Sequence, residues 1–302
     1  MNGPASPGPV ADPALPSTES VIIKAWNTVL FDKFCRFRHL VVHGLSRHSE
    51  VAFERCAYPA GARLLDIGCV FGDTIVALAE RVGPSGEAVG VDCAERFIEA
   101  SRATAAQAGA RNVRFEVRDV QQDTLGGPYD YAFARFGTMF FELPGAAMRN
   151  IRRALTPGGR LTQIVWRRRE DNPWVHEAER CVTAIVPVVS HENTDAVHCG
   201  PGPFSMAGPD MVSALLVAAG FERICFERHD CDICIGRDLD EAVEFAMALG
   251  PAGEILRLAG DEAERLRPRV IAALRETLAR FERPDGVRAP SSAWFITATN
   301  PA

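Results

Sequence analysis

The sequence predicts an α/β protein built on a doubly wound, mostly parallel sheet. Two observations carry this prediction: short apolar runs that end in glycine or a charged residue, and amphipathic helical segments that follow these runs after short loops. Strands that alternate with helices in this way form a parallel sheet with helices on both faces. The 302 residues, 47% of them hydrophobic, are sufficient for one large domain of this kind.

The regular part of the pattern begins at residue 63. Five short apolar strands are expected, at 63–68, 87–92, 113–117, 129–135 and 160–166. Helices are expected between them at 73–82, 94–108 and 145–155, because apolar residues recur there at spacings of three and four. Turn signals such as Gly83-Pro-Ser-Gly86 separate the elements.

The flanking segments are less regular. Residues 1–20 contain five prolines and no apolar stretch, which predicts a disordered leader rather than a secretory signal. Residues 21–58 have helical periodicity and predict an N-terminal helical cap. The main domain is expected over 59–302, with a Pro-, Gly- and His-rich insertion at 168–210 and a helical insertion at 238–285. A helix at 209–219 and strands at 221–231 and 292–299 complete the prediction.

Charge and composition argue against several classes of partner. The net charge of −6 and the pI of about 5.7 give no long-range attraction to a phosphate backbone, so we expect no nucleic acid partner. The run Arg167–Arg169 is the only candidate basic patch, and it is typical of a solvated strand end. No apolar run reaches the roughly 18 residues of a membrane-spanning helix. Nine scattered cysteines indicate reduced thiols and a cytoplasmic location.

Cys231 and Cys234 form the only Cys-x-x-Cys pair in the chain. They fall in a segment that is predicted to be a strand, and residues three apart on a strand point to opposite faces. The two thiols are therefore not expected to meet on one ion, and no metal site is predicted.

The ends of the first three predicted strands carry the residues that point to a ligand. The first strand leads from Asp66 into the glycine turn Gly68–Gly72, which allows a ligand to approach the backbone closely. The second strand ends at Asp92, whose carboxylate can accept both ribose hydroxyls of an adenosine. The third ends near Asp119, where an acidic side chain can meet the adenine amino group.

Glycine spacing separates the two cofactors that suit this layout. A dinucleotide site has the pattern Gly-x-Gly-x-x-Gly, with a pyrophosphate at the start of the following helix. Counted from Gly68, the second glycine position is Val70 and the third is Asp73, whose carboxylate would stand where the pyrophosphate belongs. An NAD(P)-dependent oxidoreductase is therefore the weaker alternative.

At these positions the sequence resembles the class I S-adenosylmethionine-dependent methyltransferases. Asp66, Gly68 and Gly72 match the first motif of that family, and Asp92 and Asp119 match the next two. Residues 155–161 look like the family's segment before strand five. Further segments look like a bacterial group of ubiquinone-methyltransferase-like enzymes, namely residues 135–141, Trp166, 172–174 and 202–204. The resemblance covers about residues 60 to 230. It implies a Rossmann-like sheet of about seven strands with an antiparallel last strand, and methyl transfer to a small-molecule acceptor.

The resemblance also implies roles for individual residues. S-adenosylmethionine would be held by Asp66, Gly68, Cys69, Gly72, Asp92, Cys93, Asp119, Val120 and Arg135. The substrate would contact Phe136, Met139 and Phe140, which follow strand four. His176 and His191, together with His43, are weak candidates for a base, because each is more typical of a surface or packing position. Trp26 and Asn27 either form a lid or, as the pattern favours, pack the N-terminal helix.

Val70 stands where the family has its middle glycine. A branched side chain there would crowd the methionine moiety, at a cost of about 1–3 kcal/mol or roughly 10- to 100-fold in affinity. A non-catalytic S-adenosylmethionine-binding protein is therefore kept as an alternative. Arg135-Phe-Gly-Thr138 replaces both the Asn/Asp-Pro-Pro-Tyr motif and the metal-binding Asp of catechol-type enzymes, so neither a nucleobase amine nor a required metal is expected. A homodimer is left open.

Overall fold

The computed structural model describes residues 21–187 and 202–302, so the expected leader at 1–20 lies outside the described residues. The described strands form one eight-stranded sheet, in the order β3-β2-β1-β4-β5-β8-β6, with β7 paired to β8. Their bounds are β1 Arg63–Ile67, β2 Glu87–Asp92, β3 Val113–Val117, β4 Tyr129–Arg135, β5 Leu155–Trp166, β6 Glu222–Gly236, β7 Glu282–Arg283 and β8 Gly286–Thr299.

Strands β1 to β5 are parallel, and β8 runs antiparallel to both β5 and β6. The expected doubly wound sheet with an antiparallel last strand is therefore confirmed. About seven strands were expected, and the additional one is β7. It has only two residues, which is too short to leave a periodic signal in the sequence. β1 and β2 are almost wholly buried, as strands covered by helices on both faces must be.

Eleven α-helices lie among the described residues. Their bounds are α1 Val21–Asn27, α2 Val29–Arg36, α3 Ser46–Arg55, α4 Asp73–Val82, α5 Glu95–Ala108, α6 Pro144–Ala154, α7 Pro173–Thr183, α8 Pro209–Ala218, α9 Leu239–Ala248, α10 Gly250–Ala259 and α11 Asp261–Leu278. A π-helical turn at Leu40–Gly44 separates α2 from α3. None of these helices is both long and apolar enough to span a membrane.

The N-terminal cap is held by two hydrophobic clusters rather than one. Phe37, Leu40 and Phe53 belong to the main core of the sheet. The side chains of α1 and α2 instead pack against a satellite cluster formed by Phe71, Ala94 and Phe97. The first two helices are therefore anchored next to the loops that follow β1 and β2.

Several strand and helix limits differ from those expected. β6 continues to Gly236 and β8 begins at Gly286, because the two strands pair as far as Gly236 and Val287. β5 begins at Leu155 through its contact with Tyr129 of β4. Cross-strand pairing of this kind is set by tertiary contacts, which local sequence does not encode.

Helix α7 occupies part of the segment that was expected to be an irregular insertion. Pro173 takes the first helical turn, where its missing N–H removes no hydrogen bond. The buried side chain of Asn172 anchors this start by accepting from the Ser292 amide at 2.9 Å and donating to the carbonyls of Ser292 and Arg168. Helices α9 to α11 lie within 238–285, where helical structure was expected.

Candidate active site

A cavity of about 1120 Å³ opens at the carboxyl ends of the parallel strands. Its walls include the turn after β1, the ends of β2, β4 and β5, and the loop after β3. Residues of the cap, of α7 and of α10 close the other side. In an open α/β sheet, ligands bind outside the carboxyl ends of the strands, so this position is the expected one.

The glycine turn after β1 has three residues with left-handed backbone. Gly68 and Gly72 have φ values of +68° and +82°, which glycine adopts readily. Val70 has a φ of +46°, an unusual conformation for a β-branched residue. The turn is held by its backbone, because the Val70 amide donates to Asp92 Oδ2 at 3.2 Å and the Val70 carbonyl accepts from the Ser101 hydroxyl at 2.8 Å.

The Val70 side chain does not close the site. It packs against the satellite cluster of Phe71, Ala94 and Phe97 and contributes to one edge of the cavity wall. Gly68, Cys69 and Thr74 line the same cavity on either side of it. The Val70 side chain was expected to crowd the ligand. The structure instead has an open space beside the turn.

Asp92 lies at the end of β2 and lines the cavity together with Cys93. Its Oδ1 accepts from the Ala94 amide at 3.0 Å, and its Oδ2 accepts from Val70. Burial raises the pKa of Asp92 to about 6, although these backbone hydrogen bonds oppose the rise. A carboxylate has about four acceptor positions, and the amides of Ala94, Val70 and Cys93 occupy three of them, so one remains for the ligand.

Asp119 follows β3 and lines the cavity together with Val120. Its Oδ1 accepts from the backbone and side-chain N–H groups of Gln121, at 2.9 and 3.1 Å, and its Oδ2 accepts from the Gln122 amide group at 3.0 Å. These contacts fix the carboxylate at the edge of the site.

Two residues expected in the site lie behind its wall. Asp66 is buried below the turn, outside the cavity lining, and accepts a 2.6 Å hydrogen bond from the Thr74 hydroxyl. Burial raises the pKa of Asp66 to about 7. Gly72 also lies outside the lining, and a Cβ there would come within 3.0 Å of the Ser101 Cα. The sequence analysis did not identify Thr74. Of Asp66, Gly72 and Thr74, it is the residue that lines the cavity.

Arg135 reaches the cavity lining at the end of β4 and is held from two sides. It forms a 2.8 Å ion pair with Asp73, the first residue of α4, and donates to the Ser49 hydroxyl of α3 at 2.9 Å. The side chain is only 9% exposed. Arg135 therefore connects the glycine turn to the cap.

Aromatic side chains form the opposite wall of the cavity. Phe136 has a φ of +55° and stacks on Trp166, with ring centroids 3.9 Å apart. Trp26 of α1 contacts Phe140 edge to face at 5.2 Å, so it both packs the cap and covers the cavity. Asn27 lies outside the lining. The wall is completed by Phe34, Met139, Trp174, Phe204 and Phe245.

Polar groups at the end of β5 are mostly paired. Arg167 binds Asp171 at 3.1 Å and lies over the Trp294 ring, and Arg169 binds Glu179 at 2.7 Å. Arg168 is exposed and lines the cavity next to Arg169. Two of the three arginines are therefore paired and partly buried, and only Arg168 has the solvated character that was expected for the whole run.

Neither histidine candidate that the structure describes lines the cavity. His176 lies on α7 and His43 in the π-helical turn, and both are outside the lining. His191 falls outside the described residues. The described part of the lining contains no histidine, and its ionisable acceptors are the carboxylates of Asp92, Asp119, Glu142, Glu170, Glu179 and Glu254.

Comparison with known proteins places this geometry in a family. Residues 59–193 match the family model described as "Methyltransferase domain". The nocamycin O-methyltransferase of Saccharothrix syringae is 34% identical over 57% of this chain and 64% of its own length. The demethylmenaquinone methyltransferase of Lactococcus lactis is 29% identical over 34% of this chain and 42% of its own length. The chain thus spans less than two thirds of both relatives.

A solved structure supports the fold over most of the chain. Phosphoethanolamine N-methyltransferase 2 of Haemonchus contortus, in complex with S-adenosylhomocysteine, superposes with a TM-score of 0.57 at 14% identity. The match covers 94% of this chain and 61% of that protein. The turn after β1, the acidic ends of the next two strands, the family match and the shared fold agree: residues 59–193 belong to the methyltransferase domain family, as the resemblance to the class I S-adenosylmethionine-dependent methyltransferases implied.

Proposed function

We propose that this protein transfers a methyl group from S-adenosylmethionine to a large, mainly apolar small molecule. The observation that carries the proposal is the single cavity that joins the acidic strand ends to the aromatic wall. Its volume of about 1120 Å³ exceeds the roughly 300–1,000 Å³ of pockets for one drug-sized ligand. The cavity is therefore large enough for a cofactor and an acceptor together.

The residues on the β1–β3 side fit the cofactor. Asp92 would accept a ribose hydroxyl, and Asp119, with Val120 beside it, would face the adenine. Gly68 and Cys69 would border the methionine moiety, while Asp66 and Gly72 would act indirectly, by fixing Thr74 and the turn. Arg135 would hold the turn through Asp73. The bound cofactor supplies an electrophilic methyl group on a sulfonium.

The aromatic side fits an acceptor with large apolar or aromatic surfaces. Phe136, Met139 and Phe140 would contact it, with Trp166 and Trp174 behind them. Methyl transfer in line with the sulfonium depends mainly on orientation, because a fixed near-attack geometry removes most of the entropic barrier. The names of two relatives, a nocamycin O-methyltransferase and a demethylmenaquinone methyltransferase, support a small organic molecule as the acceptor.

We further propose that the protein acts in the cytoplasm and without a nucleic acid partner. The acidic net charge of −6 and the paired arginines at the end of β5 argue against a nucleic acid partner. The eight cysteines of the described residues are all free thiols, which supports the cytoplasm. The division into a cap at 21–58 and a main domain at 59–302 is also a proposal, as is a homodimer. Light scattering coupled to size-exclusion chromatography measures the last of these.

Calorimetry on the full chain tests the proposed function. We expect S-adenosylmethionine and S-adenosylhomocysteine to bind with one site each, and NAD not to bind. Transfer of a labelled methyl group to a panel of hydroxylated polycyclic and quinol acceptors would then identify the substrate class. Binding of NAD without either sulfur ligand would contradict the proposal, and binding without transfer to any acceptor would favour the non-catalytic alternative.

A further inference from the structure

A second cluster of reactive side chains lies behind the aromatic wall, between the cap and the edge of the sheet. Helix α3 contributes His48, and β6 contributes His229 and Cys231. His48 is fully buried and His229 is 8% exposed, while Cys231 is half-buried. One ligand atom from each residue can be chosen so that all three lie within 4.8 Å of one another. The described residues contain no other such group of three.

The spacing on β6 explains why this cluster forms. His229 and Cys231 are two residues apart on a strand, so their side chains point to the same face. Cys234 is three residues further on and belongs to the cavity wall instead, where its thiol donates to the Gly236 carbonyl at 3.5 Å. The significant pattern is therefore His-x-Cys, not the Cys-x-x-Cys pair that the sequence displays.

The hydrogen bonds within the cluster place a nitrogen lone pair between the two imidazoles. Nδ1 of His48 lies 3.0 Å from Nδ1 of His229, so the two atoms share one proton. The Ser291 hydroxyl donates to the Cys231 carbonyl at 2.8 Å, and its oxygen accepts from Nε2 of His48 at 2.9 Å. The Ser291 contact favours the Nε2–H tautomer of His48, with the Nδ1 lone pair directed at His229. In that tautomer Nε2–H also faces the Cys231 sulfur, which lies 3.4 Å away.

We propose that His48, His229 and Cys231 form a zinc-binding site. Two imidazole nitrogens and one thiolate are a donor set that Zn²⁺ prefers, whereas Mg²⁺ and Ca²⁺ require oxygen ligands. On binding, zinc replaces the proton between the two Nδ1 atoms, and that proton moves to Nε2 of His229. The Cys231 thiol loses its proton to solvent. Bond lengths of about 2.0–2.3 Å place tetrahedral ligand atoms roughly 3.3–3.7 Å apart. The Cys231 Sγ lies 3.4 Å from Nε2 of His48, so the thiol must rotate towards the two Nδ1 atoms to complete the site.

The surroundings keep the two imidazoles in the form that binds metal. Burial, with help from His229 and Arg135, lowers the pKa of His48 to about 3. Burial and the nearby Arg55 also lower the pKa of His229. Burial raises the pKa of the Cys231 thiol, so the charge of the metal itself must drive its deprotonation. Ser291 would fix the orientation of His48 from its other ring nitrogen, as outer partners of metal ligands do.

A zinc ion bound here would restrict the aromatic side chains that form the cavity wall. The His48 ring contacts Phe136 and Trp166 edge to face, with both centroid distances 5.5 Å. The ion would join α3 of the cap to β6 of the sheet and so fix the rings that border the acceptor. The site lies outside the proposed cofactor-binding residues, and its test does not depend on methyl transfer.

Cobalt titration of the full chain tests the site. After treatment with a chelator, we expect the protein to bind one equivalent of Co²⁺ with a thiolate-to-cobalt absorption band in the near ultraviolet, and added Zn²⁺ to abolish the band. Cys231→Ser should lose the band, and His229→Ala should weaken Co²⁺ binding at least tenfold. Cys234→Ser is the matched control on the same strand and should bind like the parent protein.

The same experiment separates the possible outcomes. No stoichiometric Co²⁺ binding by the parent protein overturns the proposal, as does a band that survives in Cys231→Ser or disappears in Cys234→Ser. Because a variant of a buried residue can fail to fold, zinc X-ray absorption of the parent protein provides an independent measurement. It should show one sulfur at about 2.3 Å and two imidazole nitrogens at about 2.0–2.1 Å, and a shell without sulfur contradicts the site.

Discussion

The two sides of the cavity are built in different ways. The cofactor side comes from the ends of β1, β2 and β3, which are close in sequence, and its polar groups are fixed by hydrogen bonds from these same loops. The acceptor side gathers aromatic rings from segments as distant as Trp26 of α1 and Phe245 of α9. One side is local and polar, and the other is assembled by tertiary packing.

This difference explains what each side can recognise. A turn with fixed backbone geometry and two carboxylates at strand ends can recognise one unchanging ligand, so its residues form a motif. An aromatic wall offers area and shape but few directed hydrogen bonds, so its specificity depends on how distant elements pack. The family can therefore be identified from the cofactor side, whereas the acceptor is not identified from the aromatic side.

The largest expected effect comes from Asp92→Ala. The substitution removes a charged acceptor for the ribose and leaves the Val70 and Ala94 amides without their partner. We expect S-adenosylhomocysteine to bind roughly 10- to 100-fold more weakly, because the loss is about 1–3 kcal/mol. Calorimetry measures this directly.

The matched control on the other side of the cavity is Trp174→Leu. It removes a ring from the acceptor wall and should change the affinity for S-adenosylhomocysteine less than twofold. An unchanged affinity in Asp92→Ala would remove Asp92 from the cofactor site. Equal losses in both variants would mean that the two sides do not act separately.

The same contrast limits what could be predicted from the sequence. The order of β1 to β5 and the positions of Asp92 and Asp119 were predictable, because apolar runs and their polar ends are local signals. The burial of Asp66 and the contribution of Thr74 to the cavity lining could not be predicted, because both depend on how α4 packs on β1. His48 gives no sequence signal, since only the fold brings it to the His229-x-Cys231 face of β6. The extension of β6 and β8 likewise depends on their mutual pairing.

A smaller effect is expected from pH. The pKa of Asp92 is raised to about 6 by burial, and the ribose hydroxyl needs the ionised form as its acceptor. The carboxylate is therefore available at pH 7 and largely protonated at pH 5. We expect the affinity for S-adenosylhomocysteine to fall about tenfold between these values, in calorimetry at constant ionic strength.

Asp92→Asn tests the assignment of that pH dependence. The variant should bind more weakly than the parent protein at pH 7 and show almost no change between pH 7 and 5. If it retains the fall, the titrating group is another one. Asp66 is then the first candidate, because burial raises its pKa to about 7.

The smallest expected effect concerns Val70, where the two sides of the cavity meet. Its backbone belongs to the glycine turn, but its side chain packs against the satellite cluster below the cap. Val70→Gly removes the side chain that forms one edge of the cavity wall beside the turn, so we expect S-adenosylhomocysteine to bind about three- to tenfold more tightly. The melting temperature should change little, because relief of about 1–2 kcal/mol of left-handed strain offsets the lost packing and the added backbone entropy.

Val70→Ala is the matched variant, because it retains a Cβ at the same φ but lacks the two methyl groups. It should give an intermediate gain in affinity. Weaker binding in both variants would reverse the interpretation of this residue. Val70 would then support the cofactor through the cap, and the cofactor side would depend on distant packing in the same way as the acceptor side does.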